Sequence, residues 1–415
     1  MVPSRFIPSW VKEQNSFSPF RFTRVTLHWK ILLRRKTMNY RKFPGTDVTV
    51  SALGMGCMRL PVQNVEGNPI DFAEAKKMVD YAIESGITYF DTAYGYHGEQ
   101  SEVFVGEALK GGLREKITLT TKLPCWKVEK REDMDMLLDT QLKRLQTDHV
   151  DFYLLHALSG QSFDKMVSLG VFEFLEDAQK KGKIRYPGFS FHDDADTFRR
   201  IVDSYDWKLA QVQMNILDEF KQATMDGVRY AASKGIGVVV MEPLRGGALA
   251  KTVPAEVQKI YAAASAKRSA IEWAFRFLID KPEFVTILSG MSDMAQLEDN
   301  IKTFSSCEAN CLSKEESAML TRVREAYESR VRVGCTGCEY CQPCPAGIPI
   351  PKIFRPYDRA SMFDDFAPYF AGYDAEKGKN ICLDCGACES ACPQHIAVRD
   401  CLARIQEEYE QFKKA

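Results

Sequence analysis

From Lys116 to His156 the chain reads KITLTTKLPCWKVEKREDMDMLLDTQLKRLQTDHVDFYLLH. Its ends, KITLTTK and VDFYLLH, are short runs rich in β-branched and aromatic residues, and between them REDMDMLLDTQLKRLQ spaces its apolar residues as an amphipathic helix does. Strand, helix, strand in this order predicts two parallel strands joined by a crossover. The rhythm repeats outward in both directions. SALGMG (51–56) and ITYFD (87–91) precede this unit, and KIRYPGFS (183–190), LAQVQMN (209–215), GVVVMEP (237–243) and FVTILSG (284–290) follow it. Helical stretches such as DFAEAKKMVDYAIESG, VFEFLEDAQKKG, SAIEWAFRFLID and DMAQLEDNIKTF lie between them. Eight strand–helix units between Tyr40 and Phe304 predict an α/β fold, a closed (β/α)8 TIM barrel of roughly 250 residues.

A polar residue stands at or just past the end of nearly every apolar run: Asp91, Lys122, His156, Ser190, Gln211, Asn215 and Ser289. Any one of them could simply cap a turn. In a closed parallel barrel, however, all strand ends open on one face, so an acid, a lysine and a histidine on three consecutive strands converge on one pocket. Tyr96 follows Asp91 by five residues. A free tyrosine titrates near pH ~10, so a catalytic one needs a neighbouring cation that favours its phenolate. Lys122 is that cation in this reading, Asp91 holds the ammonium, and a neutral His156 orients a substrate oxygen. The chemistry served is proton donation to a carbonyl oxygen as hydride reaches the carbon.

With FDTAYGYHGEQSE (90–102), TTK ending at Lys122 and LLH ending at His156, the chain resembles the aldo-keto reductases in order and spacing, from Tyr40 to about Phe304. The resemblance implies NADP or NAD extended across the barrel mouth without a Gly-x-Gly-x-x-Gly loop. It implies that Ser190 and Gln211 hold the carboxamide and that Asn300 approaches the adenine end. Met241 stands where many relatives place an aromatic on the nicotinamide, which leaves room for a flavin although no motif signals one. Gly290 and Gln296 stand where NADP-selective relatives carry a Lys and an Arg, and Ser289 with the backbone at Gly290 is placed to take phosphate. Both NADP and NAD stay open on this reading.

Beyond Leu312 the amphipathic stretch SKEESAMLTRVREAYESR leads to CTGCEYCQPCP (335–345) and CLDCGACESACP (382–393). The second run is Cys-x2-Cys-x2-Cys-x3-Cys-Pro, the pattern of two-cluster ferredoxins in which the fourth Cys ligates the other cluster. By that logic Cys335, Cys338, Cys341 and Cys392 hold one [4Fe-4S] cluster, and Cys382, Cys385, Cys388 and Cys344 hold the other. The first run is one residue shorter between its third and fourth cysteines. A zinc site is the competing reading; it takes four thiolates and strands four. The whole resembles the iron-sulfur branch of the aldo-keto reductases, with a small α-helical ferredoxin-like domain after the barrel. The five remaining cysteines, Cys57, Cys125, Cys307, Cys311 and Cys401, are expected to be buried small residues, with Cys57, at the end of the first barrel strand, also placed where it could face the pocket.

Composition bounds the rest. The 415 residues are 45% hydrophobic and 27% charged, with 55 basic against 56 acidic side chains, ordinary for a globular protein and without the basic excess of a nucleic-acid binder. No apolar run nears the roughly 20 residues that span a bilayer, and thiols clustered as ligands suit a reducing compartment. A cytoplasmic protein without membrane or nucleic-acid partners is expected. Residues 1–37 hold eight Lys or Arg and one acid, Glu13, and read as a disordered tail or a misassigned start. The division expected is 1–37 extension, 38–312 barrel, and 313–415 helical linker with the dicluster domain. Two functions follow: a nicotinamide-dependent carbonyl reductase, or its reverse on alcohols, with two clusters that serve a protein electron partner; or an electron-transfer or redox-sensing protein whose barrel is a docking module.

Overall fold

The computed structural model describes residues 38–251, 253–377 and 380–414, so the expectation for residues 1–37 falls outside it. An antiparallel hairpin, β1 (Tyr40–Lys42) and β2 (Thr49–Ser51), precedes eight parallel strands. These are β3 (Leu53–Gly56), β4 (Tyr89–Asp91), β5 (Thr118–Leu123), β6 (Val150–Leu158), β7 (Ile184–Phe191), β8 (Leu209–Gln213), β9 (Gly237–Met241) and β10 (Phe284–Ser289). Each pairs with its sequence neighbour, and β10 pairs back with β3, so the sheet closes into the expected barrel. The strands are covered on both faces, which is why they read as nearly unbroken apolar runs.

One strand departs from its sequence reading. β6 does not end at His156 but runs two residues further, with a register shift against β7 after Leu155 and Ala157 at φ +55°. His156 therefore sits on a local irregularity of the strand. Helices Ile350–Phe363, Phe366–Lys377 and Val398–Phe412 make the C-terminal domain helical, as expected, but neither they nor helix Gly160–Ser168 were located individually from the sequence. Two of these four run against propensity, Gly160–Ser168 and Ile350–Phe363: the first is short and opens on Gly160, and Pro356 lies inside the second.

Three cores divide the packing. The largest joins the barrel to its helices and includes Met319, Leu320, Val323 and Tyr327 of helix Lys314–Glu328, then Met362 and Phe363. A second gathers Ile348, Ile350, Phe354, Phe370, Leu402 and Ile405 around the cysteine-rich segments. The third fills the barrel interior, with Phe43, Tyr89, Phe152 and Val239. Among the described residues no helix is long and apolar enough to cross a membrane.

The hairpin floors the barrel. Phe43 is fully buried, its ring 4.5 Å from that of Phe152 and 6.0 Å from that of Tyr89. It lies so close to Gly237 that a Cβ there would meet Phe43 at 2.2 Å, so the floor requires glycine at the start of β9. Phe43→Ala is expected to destabilise the protein by about 3–5 kcal/mol. Urea unfolding of the two proteins checks this; an unchanged midpoint would mean the hairpin adds nothing to the barrel.

Candidate active site and thiol-lined cavities

The register of β4 against β5 sets Asp91 opposite Thr120, two residues before Lys122. Lys122 is 0% exposed. Its Nζ donates to Asp91 Oδ1 at 2.7 Å, to the carbonyl of Thr92 at 2.8 Å and to Tyr96 Oη at 3.2 Å. Burial works against the ammonium, but the Asp91 carboxylate and the Tyr96 phenol outweigh it and hold the Lys122 pKa above its ordinary value. Burial also raises Asp91 and Tyr96, in each case against the pull of Lys122. The resting phenol is thus protonated, with a cation in place to receive its conjugate base.

His156 faces Tyr96 edge to face, with ring centroids 6.1 Å apart. Burial and then the Lys122 charge push its pKa down to about 3, so the imidazole is neutral at physiological pH. Among the described residues, Asp91 Oδ2, His156 Nδ1 and Gln211 Oε1 are buried atoms with no hydrogen-bond partner. Three unsatisfied polar atoms on alternate strands β4, β6 and β8 suit a site that receives a polar ligand.

The residues expected to hold the nicotinamide lie side by side. Ser190 is opposite Gln211 in the β7–β8 register, and Gln211 Nε2 lies 3.8 Å from the Met241 sulfur at the end of β9. The free Gln211 oxygen fits a carboxamide N–H, as the resemblance implies. Asn300 Nδ2 donates to Ser289 Oγ at 3.0 Å, and both residues are buried. Gln296 is engaged elsewhere: its side-chain Nε2 donates to Asp293 Oδ2 at 2.7 Å, in the first turn of helix Met294–Phe304. Asn215 likewise ties a turn, donating to Asp218 at 2.8 Å and to the carbonyl of Glu242 at 3.2 Å. Cys57 is fully buried, as expected of a small core residue. Its N–H donates to the carbonyl of Asp91, and burial raises its thiol pKa. Cys311 is a correction, being only partly buried.

Three side chains at the site were missed by sequence reasoning. Trp126, 55% exposed after β5, places its ring 5.1 Å from that of His156. Arg59, in the turn after β3, lies across Gly290, where a Cβ would meet its Cγ at 2.9 Å. Behind the pocket, Gln141 Nε2 donates to the carbonyl of Lys122 at 2.9 Å and to buried Glu102 at 2.6 Å. Glu102 also accepts from Thr121, and Tyr153 donates to Gln141.

In the C-terminal domain the eight clustered thiols fall into two sets. Cys335, Cys338, Cys341 and Cys392 line one cavity. Cys344, Cys382, Cys385 and Cys388 line another. Each cavity takes three thiols from one run and its fourth from the other. Ile350 lines both.

Residues 52–325 match the aldo/keto reductase family, and residues 334–397 match the 4Fe-4S dicluster domain. The chain is 26% identical over 311 residues to an L-galactose dehydrogenase of Arabidopsis thaliana, covering 70% of this chain and 95% of that protein. It is 25% identical over 325 residues to an NADH-specific methylglyoxal reductase of Escherichia coli (strain K12), covering 68% and 97%. Among solved structures, the aldo-keto reductase AKR11C1 of Bacillus halodurans in its holo form matches with a TM-score of 0.58 at 25% identity, covering 69% of this chain and 96% of that one.

The neutral burial of His156 has a stability signature. Its folded-state pKa lies near 3 and its ordinary value is 6.5, so between these the unfolded chain binds the extra proton. This contribution is full above pH 6.5 and is lost as pH falls toward 3. His156→Gln is therefore expected to lose less stability than the parent between pH 7 and pH 4, as read from urea midpoints at several pH values. Parallel curves for the two proteins would contradict the assignment.

Proposed function

Because the chain belongs to the aldo/keto reductase family and is a nicotinamide-dependent oxidoreductase, we propose that it reduces aldehydes or ketones with NADPH or NADH, or oxidises the corresponding alcohols, at the pocket formed by Asp91, Tyr96, Lys122 and His156. The observation that carries this reading is the fully buried Lys122 ammonium, shared between the Asp91 carboxylate and the Tyr96 hydroxyl. Relatives named as an L-galactose dehydrogenase and a methylglyoxal reductase support a small-molecule carbonyl or alcohol substrate.

When bound, the nicotinamide supplies or accepts the hydride. Ser190, Gln211 and Met241 hold its ring end; Ser289, Gly290 and Asn300 line the track toward the adenine, with Arg59 adding a cation across Gly290. Gln296 shapes the helix turn beside that track. Tyr96 donates its Oη proton to the substrate oxygen, and Lys122 stabilises the phenolate left behind. Asp91 keeps the ammonium at 2.7 Å and so keeps the cation aimed. Neutral His156 orients the same substrate oxygen, and Trp126 beside it walls the pocket.

In the same reading the C-terminal 4Fe-4S domain holds two clusters, one in each thiol-lined cavity, with the sets of four given above. Thiolates suit iron, and eight of them distribute four and four without remainder. Cys338, Cys382 and Cys385 are exposed, so the clusters would meet an electron-transfer protein at their outer faces.

Two experiments test these halves separately. Tyr96→Phe is expected to lower kcat for nicotinamide-linked carbonyl reduction by about 100-fold or more while cofactor affinity stays near that of the parent, and Lys122→Met to be nearly as damaging. Turnover retained in Tyr96→Phe would remove Tyr96 from this role. Anaerobically reconstituted protein is expected to contain about eight iron atoms per chain with matching sulfide. Stoichiometric zinc without sulfide would overturn the cluster assignment and leave the barrel chemistry intact.

A further inference from the structure

The segment that enters the first cysteine run is irregular, yet its backbone is tied at four successive residues. Arg332 and Val333 donate their amide hydrogens to Asp358 Oδ1 at 3.0 and 2.8 Å, and Gly334 and Cys335 donate theirs to Asp358 Oδ2 at 2.9 and 3.3 Å. Gly334, at φ +77°, supplies the left-handed turn that lets consecutive N–H groups converge on one anion. Asp358 is only 8% exposed. The nearby Arg332 guanidinium is engaged with Tyr357 Oη and Glu408, each at 3.0 Å. Among the described residues no Lys or Arg forms an ion pair with Asp358, so backbone amides alone answer its charge.

This arrangement has two consequences for a group held by Cys335. The loop that delivers this ligand is clamped from outside by a side chain of helix Ile350–Phe363. The same helix is anchored in the barrel core one turn later, through Met362 and Phe363. Second, the Cys335 N–H is committed to a carboxylate and is withheld from sulfur. Hydrogen bonds to cluster sulfurs and local net charge both set the reduction potential, and a fixed negative charge beside a ligand disfavours adding an electron.

We propose that Asp358 is a positioning residue for the cluster held by Cys335, Cys338, Cys341 and Cys392: it fixes the ligand loop and lowers the reduction potential of that cluster. The proposal rests on the four-and-four cluster assignment above.

Its test uses the full chain, reconstituted anaerobically, with potentiometric titration followed by electron paramagnetic resonance. In Asp358→Asn one of the two clusters is expected to titrate at a more positive potential, or to be lost with half the iron, while the other stays at its parent value. Asp358→Glu, which keeps the charge, is expected to return the potential toward that of the parent. Both clusters unmoved in Asp358→Asn, or both shifted equally, would overturn the proposal. Hydrogen exchange in the unmutated protein gives a second readout that needs no variant to fold. The amides of residues 332–335 are expected to exchange slowly for so irregular a segment, and exchange at the rate of an open loop would likewise overturn it. Absence of iron and sulfide from the unmutated protein would instead refute the cluster assignment.

Discussion

An ammonium group without exposed surface must be surrounded before a fold can carry it. Removing Lys122 from water costs several kcal/mol, and the cost is offset only if carboxylate, carbonyl and hydroxyl oxygens stand at hydrogen-bond distance in fixed directions. Here those oxygens come from the end of β4, the residue after it and the turn that follows, while the ammonium comes from β5. Register between the two strands thus becomes a condition of stability, and barrel closure is what holds that register. Gln141 and Glu102 add a second layer from the helices, fixing the Lys122 backbone from behind. One cation then tunes three groups: it opposes the rise that burial imposes on Asp91 and Tyr96, and it joins burial in keeping His156 neutral.

The parts of this arrangement that were legible in the chain are those written in strand periodicity and residue chemistry. Each of the eight barrel strands declared itself as an apolar run, and Asp91, Lys122 and His156 stood out because a charged or titratable residue closed such a run. The grouping of the thiols was legible for a similar reason: each cavity gathers three cysteines of one closely spaced run and the Cys-Pro cysteine of the other. Side chains that reach the site from turns were not legible. Arg59 and Trp126 owe their places to loop paths that no periodicity records, and Gln141 lies on a helix face that reads only as core. Gln296 carries a second pattern besides its place on the cofactor side: Asp293-x-x-Gln296 is a helix-start motif in which the two side chains satisfy each other and the first-turn amides. The irregularity in β6 was hidden because Ala157 and Leu158 continue an apolar run whatever their backbone does.

One helix runs from the thiol cavities to the barrel core. Helix Ile350–Phe363 starts at Ile350, which lines both thiol cavities, and ends at Met362 and Phe363, which pack into the barrel core. Twelve residues at 1.5 Å each place these ends about 18 Å apart. The barrel end is clamped by Arg330, which bonds the carbonyl of Ser361 and the Asp364 carboxylate and reaches Glu256 of the barrel at 3.0 Å. It is also packed by Arg245, which lies 3.8 Å from the Met362 sulfur and 3.6 Å from Asp218, in the loops that follow β9 and β8.

That geometry bears on how the two proposed chemistries coexist. Hydride transfer moves two electrons at once, whereas a cubane takes one, so exchange between them needs a carrier that accepts both kinds of step. The barrel residues supply a proton donor, a cation and a neutral imidazole, and none of these stores a single electron between such steps. Along helix Ile350–Phe363, by contrast, connection is continuous and made of packed side chains: the loop of Arg245 meets Met362, one helical turn separates Met362 from Asp358, and Asp358 holds the amide of Cys335. The physical link from barrel mouth to the first cysteine run is therefore a chain of contacts on one helix. A carboxylate on that helix, Asp358, ties the backbone of Cys335 to the same scaffold that packs into the barrel.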